Sequence, residues 1–304
     1  SSKVLNLSDL FIDTTPTNYD IYAIGYNSTD NTGVVGRITT TASTLTMDSS
    51  YGTSGIANLT SSAMTVVAGG LHPDRRVYLL GTQPVMARVF GDAYVIEVQK
   101  ENAVGAQGAI DLSLDGFRTT SPQGAITISG LSGYTAQAVY SNTNDTSYIA
   151  CGNGTNARIA KIDADGMVVS SGFGTAGITS SIAMSTLTSM VVAANGDISL
   201  CGLNAGSFTG ILYSSAGVYQ SIFGTNGTIT MTAATRIAQQ KSSRYIISSY
   251  DSRSSKGVLT GWRNTGLADS TYGPQGSSGF YSIAYNAVID DFVLDSNDNA
   301  YIVY

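Results

Sequence analysis

The stretch Asp163-Ala164-Asp165-Gly166, followed after a short run of small and apolar residues by Phe173-Gly174-Thr175-Ala176-Gly177-Ile178, decides the fold of this chain. An aromatic residue, a glycine, two small residues and a second glycine cannot continue a regular strand, because glycine readily adopts positive φ and allows close backbone approach. The aromatic side chain is large and apolar enough to anchor such a turn in a hydrophobic core. The stretch therefore predicts a core-anchored turn.

The second half of this stretch, here called the aromatic–glycine phrase, recurs along the chain. The recurrence of the same glycine turn at a regular interval indicates that one supersecondary unit is repeated. Stacked units can share one continuous core, so residues 1–304 are predicted to form a single domain. The other copies of the phrase are Tyr51-Gly52-Thr53-Ser54-Gly55-Ile56, Phe223-Gly224-Thr225-Asn226-Gly227-Thr228 and Tyr272-Gly273-Pro274-Gln275-Gly276-Ser277.

A second recurring pattern consists of two short apolar runs separated by a polar turn. In the clearest copy the runs flank Asn195-Gly196. Turns of Asn, Asp and Gly between alternating apolar residues are typical of β-hairpins. The sequence contains six such hairpins, and the other five begin near Leu10, Val66, Ala138, Arg236 and Phe292.

A third strand is predicted after five of these hairpins, at 34–38, 94–98, 158–162, 210–213 and 258–262. A short fourth strand completes the unit, as at 177–180. Each unit is thus a four-stranded antiparallel meander of roughly 50 to 55 residues. Because no stretch shows a sustained period of 3.6 residues with helix caps, almost no helix is expected.

Four-stranded units at this spacing predict an all-β fold, a β-propeller of four-stranded antiparallel blades. The alternative is a parallel β-solenoid, but solenoid coils are shorter and the tight hairpins argue against them. Six hairpins predict six blades. The last unit reaches Tyr304 after its second strand, so the sixth blade is expected to be incomplete, with Val4 to Leu7 available to extend it. Five complete units in a five-bladed ring are the alternative.

Together the phrases resemble the delta-60 repeat, a family of predicted β-propeller repeats, over nearly the whole chain. The chain departs from that repeat at Arg75, where a turn glycine belongs, and at Lys241-Ser242-Ser243, which replaces another turn. The resemblance implies a propeller fold and often a surface or secreted context, including in some large viruses, and it implies no known chemistry. The matching segments are Pro73-Asp74, Asp163-Ala164-Asp165-Gly166, Met47-Asp48-Ser49-Ser50-Tyr51-Gly52 and Ala268-Asp269-Ser270-Thr271-Tyr272-Gly273.

Composition narrows the classes of partner. Charged residues make up 12% of the chain, about half the usual share. The net charge is −6 and no block of Lys and Arg exists, so nucleic-acid binding through phosphates is not expected. The apolar runs, such as Met190-Val191-Val192-Ala193-Ala194, are too short to span a membrane.

The two cysteines, Cys151 and Cys201, occupy the same place in successive units. Equivalent positions in neighbouring units are usually too far apart, and their Cβ directions too parallel, for a disulfide. We therefore expect two free, buried thiols. A metal site and a cofactor are not expected, because His72 is the only histidine.

No catalytic constellation is found in the sequence. A Ser-His-Asp triad would have to use His72, which lies on a predicted hairpin turn. Asp290 and Asp291 could hold a proton or a cation, but adjacent residues of a strand point to opposite faces. Asp295-Ser296-Asn297-Asp298-Asn299 matches only the first half of a calcium loop and is interpreted as a hairpin turn.

Trp262 would suit the face of a sugar ring, and it is the only tryptophan. Its register matches that of Ile162 and Tyr213 in other units. A position that is apolar in every unit is predicted to lie in the core.

One unit is longer than the others. Between Gly81 and Gly130 the chain carries roughly 16 to 20 surplus residues, assigned to an insertion near 109–124. This segment contains Asp111, Asp115 and Arg118 in a chain that is poor in charge, so these three are predicted binding residues. A loop that covers an exposed edge or merely tolerates insertion is the alternative.

These observations favour a non-catalytic structural or binding propeller that is extracellular, displayed on a cell surface or part of a virion. Its partner is expected to be a protein or a glycan, and self-association is included. A glycan-binding propeller that uses tyrosines and amides at a loop face is the alternative. An enzyme, either a hydrolase or a lyase with carboxylates and tyrosines at a channel mouth, is a third hypothesis.

Overall fold

The computed structural model describes most of the chain as β-strands joined by turns. No helix is found among the residues that the structure describes, so the prediction of an all-β fold is confirmed. These residues accordingly contain no helix that is long and apolar enough to cross a membrane. The described residues are 5–13, 20–40, 44–63, 65–71, 76–81, 85–90, 94–95, 104–105, 125–128, 130–141, 146–163, 167–231, 234, 236–240, 243–273, 279–283, 285–294 and 298–304.

The chain forms two compact units. The first contains Ser1–Cys151 and Ala160–Val169, and the second contains Gly152–Ile159 and Ser170–Tyr304. Successive four-stranded antiparallel sheets follow one another along the chain, as the repeats predict. The paired strands of all six predicted hairpins are found among the described residues.

The first sheet has five strands. The strands β1, β2 and β3 form an antiparallel meander, and both β4 and β5 pair with β3. Leu5 to Leu7 pair with Gly25 to Asn27, so this segment belongs to the first blade. The strands are β1 (Leu5–Asp13), β2 (Asp20–Asn27), β3 (Thr32–Thr40), β4 (Leu45–Met47) and β5 (Ile56–Ala63).

In the second sheet, the third strand lies at a different place from the one predicted. That strand is Val85–Phe90, not 94–98, and it pairs with Arg76–Gly81 through a short connection like those of the other units. Tyr94–Val95 instead forms a separate two-stranded ladder with Val104–Gly105. The strands are β6 (Val66–Leu71), β7 (Arg76–Gly81), β8 (Val85–Phe90), β9 (Tyr94–Val95), β10 (Val104–Gly105) and β11 (Ala125–Thr127), which pairs with β8.

The third sheet has the strand order β12-β13-β14-β15, and its strand β14 is divided between the two units. Its fourth strand is Ile182–Ala183 and not 177–180, because Ile178 only closes the turn by a single bridge to Thr175, whereas Ile182–Ala183 pairs with β14. The strands are β12 (Thr135–Ser141), β13 (Ser147–Gly152), β14 (Asn156–Ile162) and β15 (Ile182–Ala183).

The second unit contains the fourth and fifth sheets and a final hairpin. The predicted incomplete last blade corresponds to this hairpin, which pairs two strands. The strands are β16 (Thr186–Val192), β17 (Ile198–Asn204), β18 (Ser207–Tyr213) and β19 (Thr228–Met231); β20 (Ile237–Gln239), β21 (Tyr245–Asp251), β22 (Lys256–Trp262) and β23 (Phe280–Ser282); and β24 (Asp291–Leu294) and β25 (Ala300–Val303).

The fifth sheet buries both of its faces. Ile247 belongs to the apolar cluster shared with the fourth sheet, which includes Phe223, whereas the adjacent Ile246 belongs to a cluster with Ile289 and Phe292 of the last hairpin. Neighbouring residues of a strand point to opposite faces. The sheet is therefore packed between its two neighbours, which is how blades pack.

Cys151 and Cys201 are free and buried, as predicted.

The aromatic–glycine phrase forms a two-residue hairpin turn. In its third-blade copy, Thr175 and Ile178 exchange backbone hydrogen bonds of 2.8 and 3.2 Å, and both Ala176 and Gly177 have positive φ. Positive φ at both central residues defines a type I′ turn. Gly174 also has positive φ, and a Cβ there would overlap the carbonyl oxygen of Ile178. Tyr51, Phe173 and Phe223 are fully buried, so the predicted core anchor is confirmed in these three copies, whereas Tyr272 of the fourth copy is only partly buried.

The phrase also joins neighbouring blades. The backbone N–H of Gly224 donates to the carbonyl of Thr265 in the next blade at 2.8 Å, and Gly174 donates to Ala216 at the same distance. A Cβ at Gly266 would contact the backbone of Gly224 and the ring of Phe223. Each of these copies of the aromatic–glycine phrase therefore contacts the turn that precedes the next copy.

Candidate functional site

The predicted binding residues Asp111, Asp115 and Arg118 lie outside the described residues, as does His72. The structure does not combine Asp290 and Asp291 into one site. Asp290 is exposed, whereas Asp291 forms an ion pair of 3.0 Å with Arg236. Among the described residues no cluster of His, Cys, Asp and Glu side chains could hold a metal ion.

Trp262 occupies the position predicted from its register. Trp262 bridges to Ala268 as Tyr213 bridges to Tyr219. The indole packs against the apolar cluster of the fourth and fifth sheets, and its Nε1–H donates to Thr260 Oγ1 at 3.0 Å. The tryptophan is therefore half-buried packing rather than an open platform.

A buried charge cluster lies in the first blade. Asp20 begins β2, Arg37 lies in β3, and Asp48 follows β4 directly. The Nε of Arg37 donates to Asp48 Oδ2 at 2.7 Å and lies 3.9 Å from Asp20 Oδ2, and the guanidinium sits 5.5 Å from the centre of the Tyr51 ring. All three charged side chains are nearly inaccessible to solvent.

The surroundings keep Arg37 and Asp48 in their charged forms. Burial opposes the charge on Arg37, but Tyr22 and the two carboxylates outweigh it and raise the pKa of Arg37. Burial likewise acts to raise the pKa of Asp48, but the hydroxyl and N–H of Ser50 and the guanidinium of Arg37 lower that pKa below its usual value. Groups held in this way stabilise the blade and are poor proton donors or acceptors near neutral pH.

The fifth blade contains a similar cluster. Asp269 accepts hydrogen bonds from the hydroxyl and N–H of Thr271, at 2.7 and 3.0 Å, and from Arg244 Nε at 2.7 Å. The Thr271 hydroxyl, its N–H and then Arg244 lower the pKa of Asp269 to about 2. Arg244 also lies over the ring of Tyr272. In both blades, an aspartate three residues before the aromatic residue of the phrase pairs with an arginine that lies over the aromatic ring.

The buried thiols and phenols are held in their neutral forms. Burial raises the pKa of both Cys151 and Cys201 to about 12. Burial also raises the pKa of Tyr213 to about 12 and that of Tyr51 further. A thiol must ionise to act as a nucleophile. These side chains are therefore structural.

An apolar groove lies on the first blade. The groove has a volume of about 180 Å³, and its apolar lining includes Leu5, Leu7, Val34, Met47 and Ile56. Gly25 and Gly36 also line it. Leu7 is 63% exposed, so the groove is open to solvent.

An exposed aromatic pair lies in the second unit. Tyr285 follows the outer strand β23, and Tyr304 follows β25. Their rings are stacked with centroids 5.3 Å apart and an interplanar angle of 19°. The side chains are 61% and 54% exposed. The sequence shows both tyrosines but not their contact, which depends on how the last hairpin folds back.

Comparison with known proteins identifies the fold. No family model and no curated protein matches this chain. Among solved structures, the WD40 domain of Toxoplasma gondii coronin matches with a TM-score of 0.54 and 7% identity, over 99% of this chain and 72% of that one. The Dos1 propeller matches with a TM-score of 0.54 and 11% identity, over 98% and 75%. Saccharomyces cerevisiae Sqt1 matches with a TM-score of 0.53 and 11% identity, over 95% and 65%.

These likenesses, together with the successive four-stranded antiparallel sheets, show that the chain is a β-propeller. The predicted fold class is therefore confirmed. At such low identity the likeness concerns the fold alone, because one propeller scaffold carries many unrelated functions.

Proposed function

We propose that this propeller acts by binding rather than by catalysis, as a structural or partner-binding module whose contact surface includes the apolar groove of the first blade. The observation that carries the proposal is a concentration of exposed apolar side chains around that groove. Contiguous exposed apolar surface marks an interaction site more often than chance exposure does. Leu5, Leu7 and Met47 line the groove and are exposed, and Leu10 and Leu45 are exposed on strands of the same sheet.

The lining of the groove indicates what kind of partner fits it. The lining residues are apolar except for Asn6 and the hydroxyl of Tyr26. A partner would therefore gain from burying apolar side chains and would find no charge to pair with. A protein segment with exposed aliphatic residues, from another protein or a second copy of this chain, fits this surface.

The ionisation of the buried groups supports binding over catalysis. Cys151, Cys201, Tyr51 and Tyr213 have raised pKa values, and the arginine–aspartate clusters are paired internally. Catalytic groups instead need pKa values near the working pH. A hydrolase or lyase would have to draw its acid and base from other residues.

We further propose that the protein works outside a cell, on a cell surface or on a virion, and that its repeats are of the delta-60 type. The low charge content supports an exterior setting, since Ser, Thr and Asn replace the usual surface Lys and Glu. Protease treatment of intact cells or particles of the source tests the location. Complete protection of the protein until lysis would contradict the proposal.

A pair of charge substitutions tests the binding surface. Leu7→Asp places a carboxylate in the groove, and Leu267→Asp places one at a leucine of similar exposure, 57%, on a turn of the fifth blade. We expect Leu7→Asp to weaken partner capture about tenfold or more, because the charge must be desolvated on binding. Leu267→Asp should have little effect.

The readouts are quantitative mass spectrometry of proteins captured from the native source and sedimentation velocity of the purified protein. Loss of a specific partner or of self-association in Leu7→Asp alone supports the proposal. If both variants bind the same partners with unchanged strength, the groove is not the contact surface.

A further inference from the structure

We propose that Tyr285 and Tyr304 form a second binding site, for the pyranose ring of a glycan. This site lies in the second unit, and the proposal does not depend on the function of the groove in the first blade. The argument rests on the exposure of the stacked rings, on the way the backbone fixes them and on the chemistry of their surroundings.

The two tyrosines come from neighbouring segments that the backbone holds together. Tyr285 lies in the connection from β23 to β24, and Tyr304 directly follows β25. The N–H of Asp290, at the end of that connection, donates to the carbonyl of Val303 at 2.9 Å. This bond holds the end of β25 beside the connection, and the rings stack as a result.

The connection is anchored at both ends. Ile283 and Ile289 are buried, with 6% and 1% exposure, in the cluster shared by the fifth sheet and the last hairpin. Ile283 N–H donates to the carbonyl of Gly257 at 3.0 Å, and Gly257 N–H donates to the carbonyl of Ala287 at 2.7 Å. A Cβ at Gly257 would lie 2.6 Å from Ile289 Cγ1. This close approach of the connection to Gly257 requires glycine at that position. The approach and the two hydrogen bonds hold the connection against β22.

An anchored aromatic surface binds with a small loss of conformational entropy, because it is already ordered before the ligand arrives. Both side chains are more than half exposed, so the larger part of each lies outside the packing of the blade. A tyrosine in a folded protein more often buries its ring and leaves only its hydroxyl in contact with water. The exposed rings are therefore available for a ligand.

The stacked rings of Tyr285 and Tyr304, here called the platform, match the chemistry of a sugar ring. A tyrosine presents an apolar face and a polar hydroxyl, and a pyranose presents an apolar face of C–H groups with hydroxyls around its edge. Asn286 and Asp290 are exposed next to the platform and supply an amide and a carboxylate for those hydroxyls. Nucleic-acid bases also stack on aromatic rings, but their phosphates require cations, and the nearest charged residue in the connection is the acidic Asp290.

Alanine substitutions test the platform. The probes are the methyl pyranosides of glucose, galactose, mannose and N-acetylglucosamine in saturation-transfer NMR, together with an array of neutral and acidic glycans. We expect Tyr285→Ala and Tyr304→Ala each to weaken the best-bound glycan by about tenfold. Tyr285→Phe keeps the ring and should stay within about threefold of the wild type.

The matched control is Tyr281→Ala. Tyr281 is 48% exposed on β23 and is not part of the stack. Retained binding in this control, with loss in both platform variants, supports the proposal. A wild-type protein that binds no probe above background overturns it, and so does binding that survives Tyr285→Ala. Because Leu7→Asp leaves the platform intact, it should bind glycans normally, which separates this site from the groove.

Discussion

At the scale of single residues, Arg37 shows how a chain poor in charge uses one buried cation. Arg37 is 7% exposed and pairs with Asp48 and Asp20. Arg37→Met keeps much of the side-chain volume but removes the cation that pairs with the buried carboxylates of Asp20 and Asp48. We expect a loss of about 3 kcal/mol in the free energy of unfolding at pH 7. Denaturant titration of the wild type and the variant measures this loss.

The pH dependence of this loss follows from Asp48. In the wild type the pKa of Asp48 is lowered in the folded state. A lowered carboxyl pKa contributes stability that is fully present above the unfolded value of about 3.9 and is lost as pH falls through the folded value. The difference between wild type and Arg37→Met should therefore shrink below about pH 4. Arg253→Met, at an exposed turn, is the control and should change stability little. An equal loss in the two variants would argue against the buried cluster.

At the scale of elements, the aromatic–glycine turn can be tested with two glycines that differ in one respect. Gly224 and Gly206 both have positive φ, so alanine is strained at either. A Cβ at Gly206 meets nothing within 4 Å, whereas one at Gly224 would overlap the carbonyl of Thr228. Gly224→Ala should therefore cost about 2 kcal/mol more than Gly206→Ala. Thermal melting of both variants measures the difference, and equal melting temperatures would refute the close approach.

The hairpins were predictable because their signal is local. Asn, Asp and Gly turns between alternating apolar runs identify five of the six, and the remaining hairpin has Lys241-Ser242-Ser243 at its turn. The third strand of the second blade was misplaced because Tyr94–Val95 and Val85–Phe90 both look like apolar strands, and only pairing with Arg76–Gly81 distinguishes them. The short fourth strand of the third blade was misplaced because its two residues, Ile182–Ala183, carry almost no periodic signal.

The side-chain clusters could not be predicted, because their members lie at irregular spacings. Arg37 precedes its aspartate by 11 residues and Arg244 precedes its own by 25, since one arginine comes from a third strand and the other precedes a second strand. Only the short Asp-Ser-Ser-Tyr and Asp-Ser-Thr-Tyr segments are visible in the sequence. The tyrosine platform likewise depends on a backbone contact between Asp290 and Val303.

At the scale of the whole molecule, the sequence still points to one segment that stands apart from the repeats, residues 109–124 with Asp111, Asp115 and Arg118. The outer strands of the second blade pair directly, with Ala87 opposite Ala125, so the sheet is made by residues on either side of this segment. Replacing 109–124 with Asn-Gly should change the free energy of unfolding by about 1 kcal/mol or less, because loop-closure entropy varies slowly with length.

Partner binding by the shortened chain then tests whether the segment belongs to the contact surface. We expect reduced capture, since binding groups concentrate in loops that a rigid scaffold presents. A full-length control with Asp111→Asn, Asp115→Asn and Arg118→Gln keeps the loop and removes its charges. If the charges make the contact, this control should lose as much binding as the shortened chain. Unchanged capture by the shortened chain would assign binding to the blades themselves and exclude the segment.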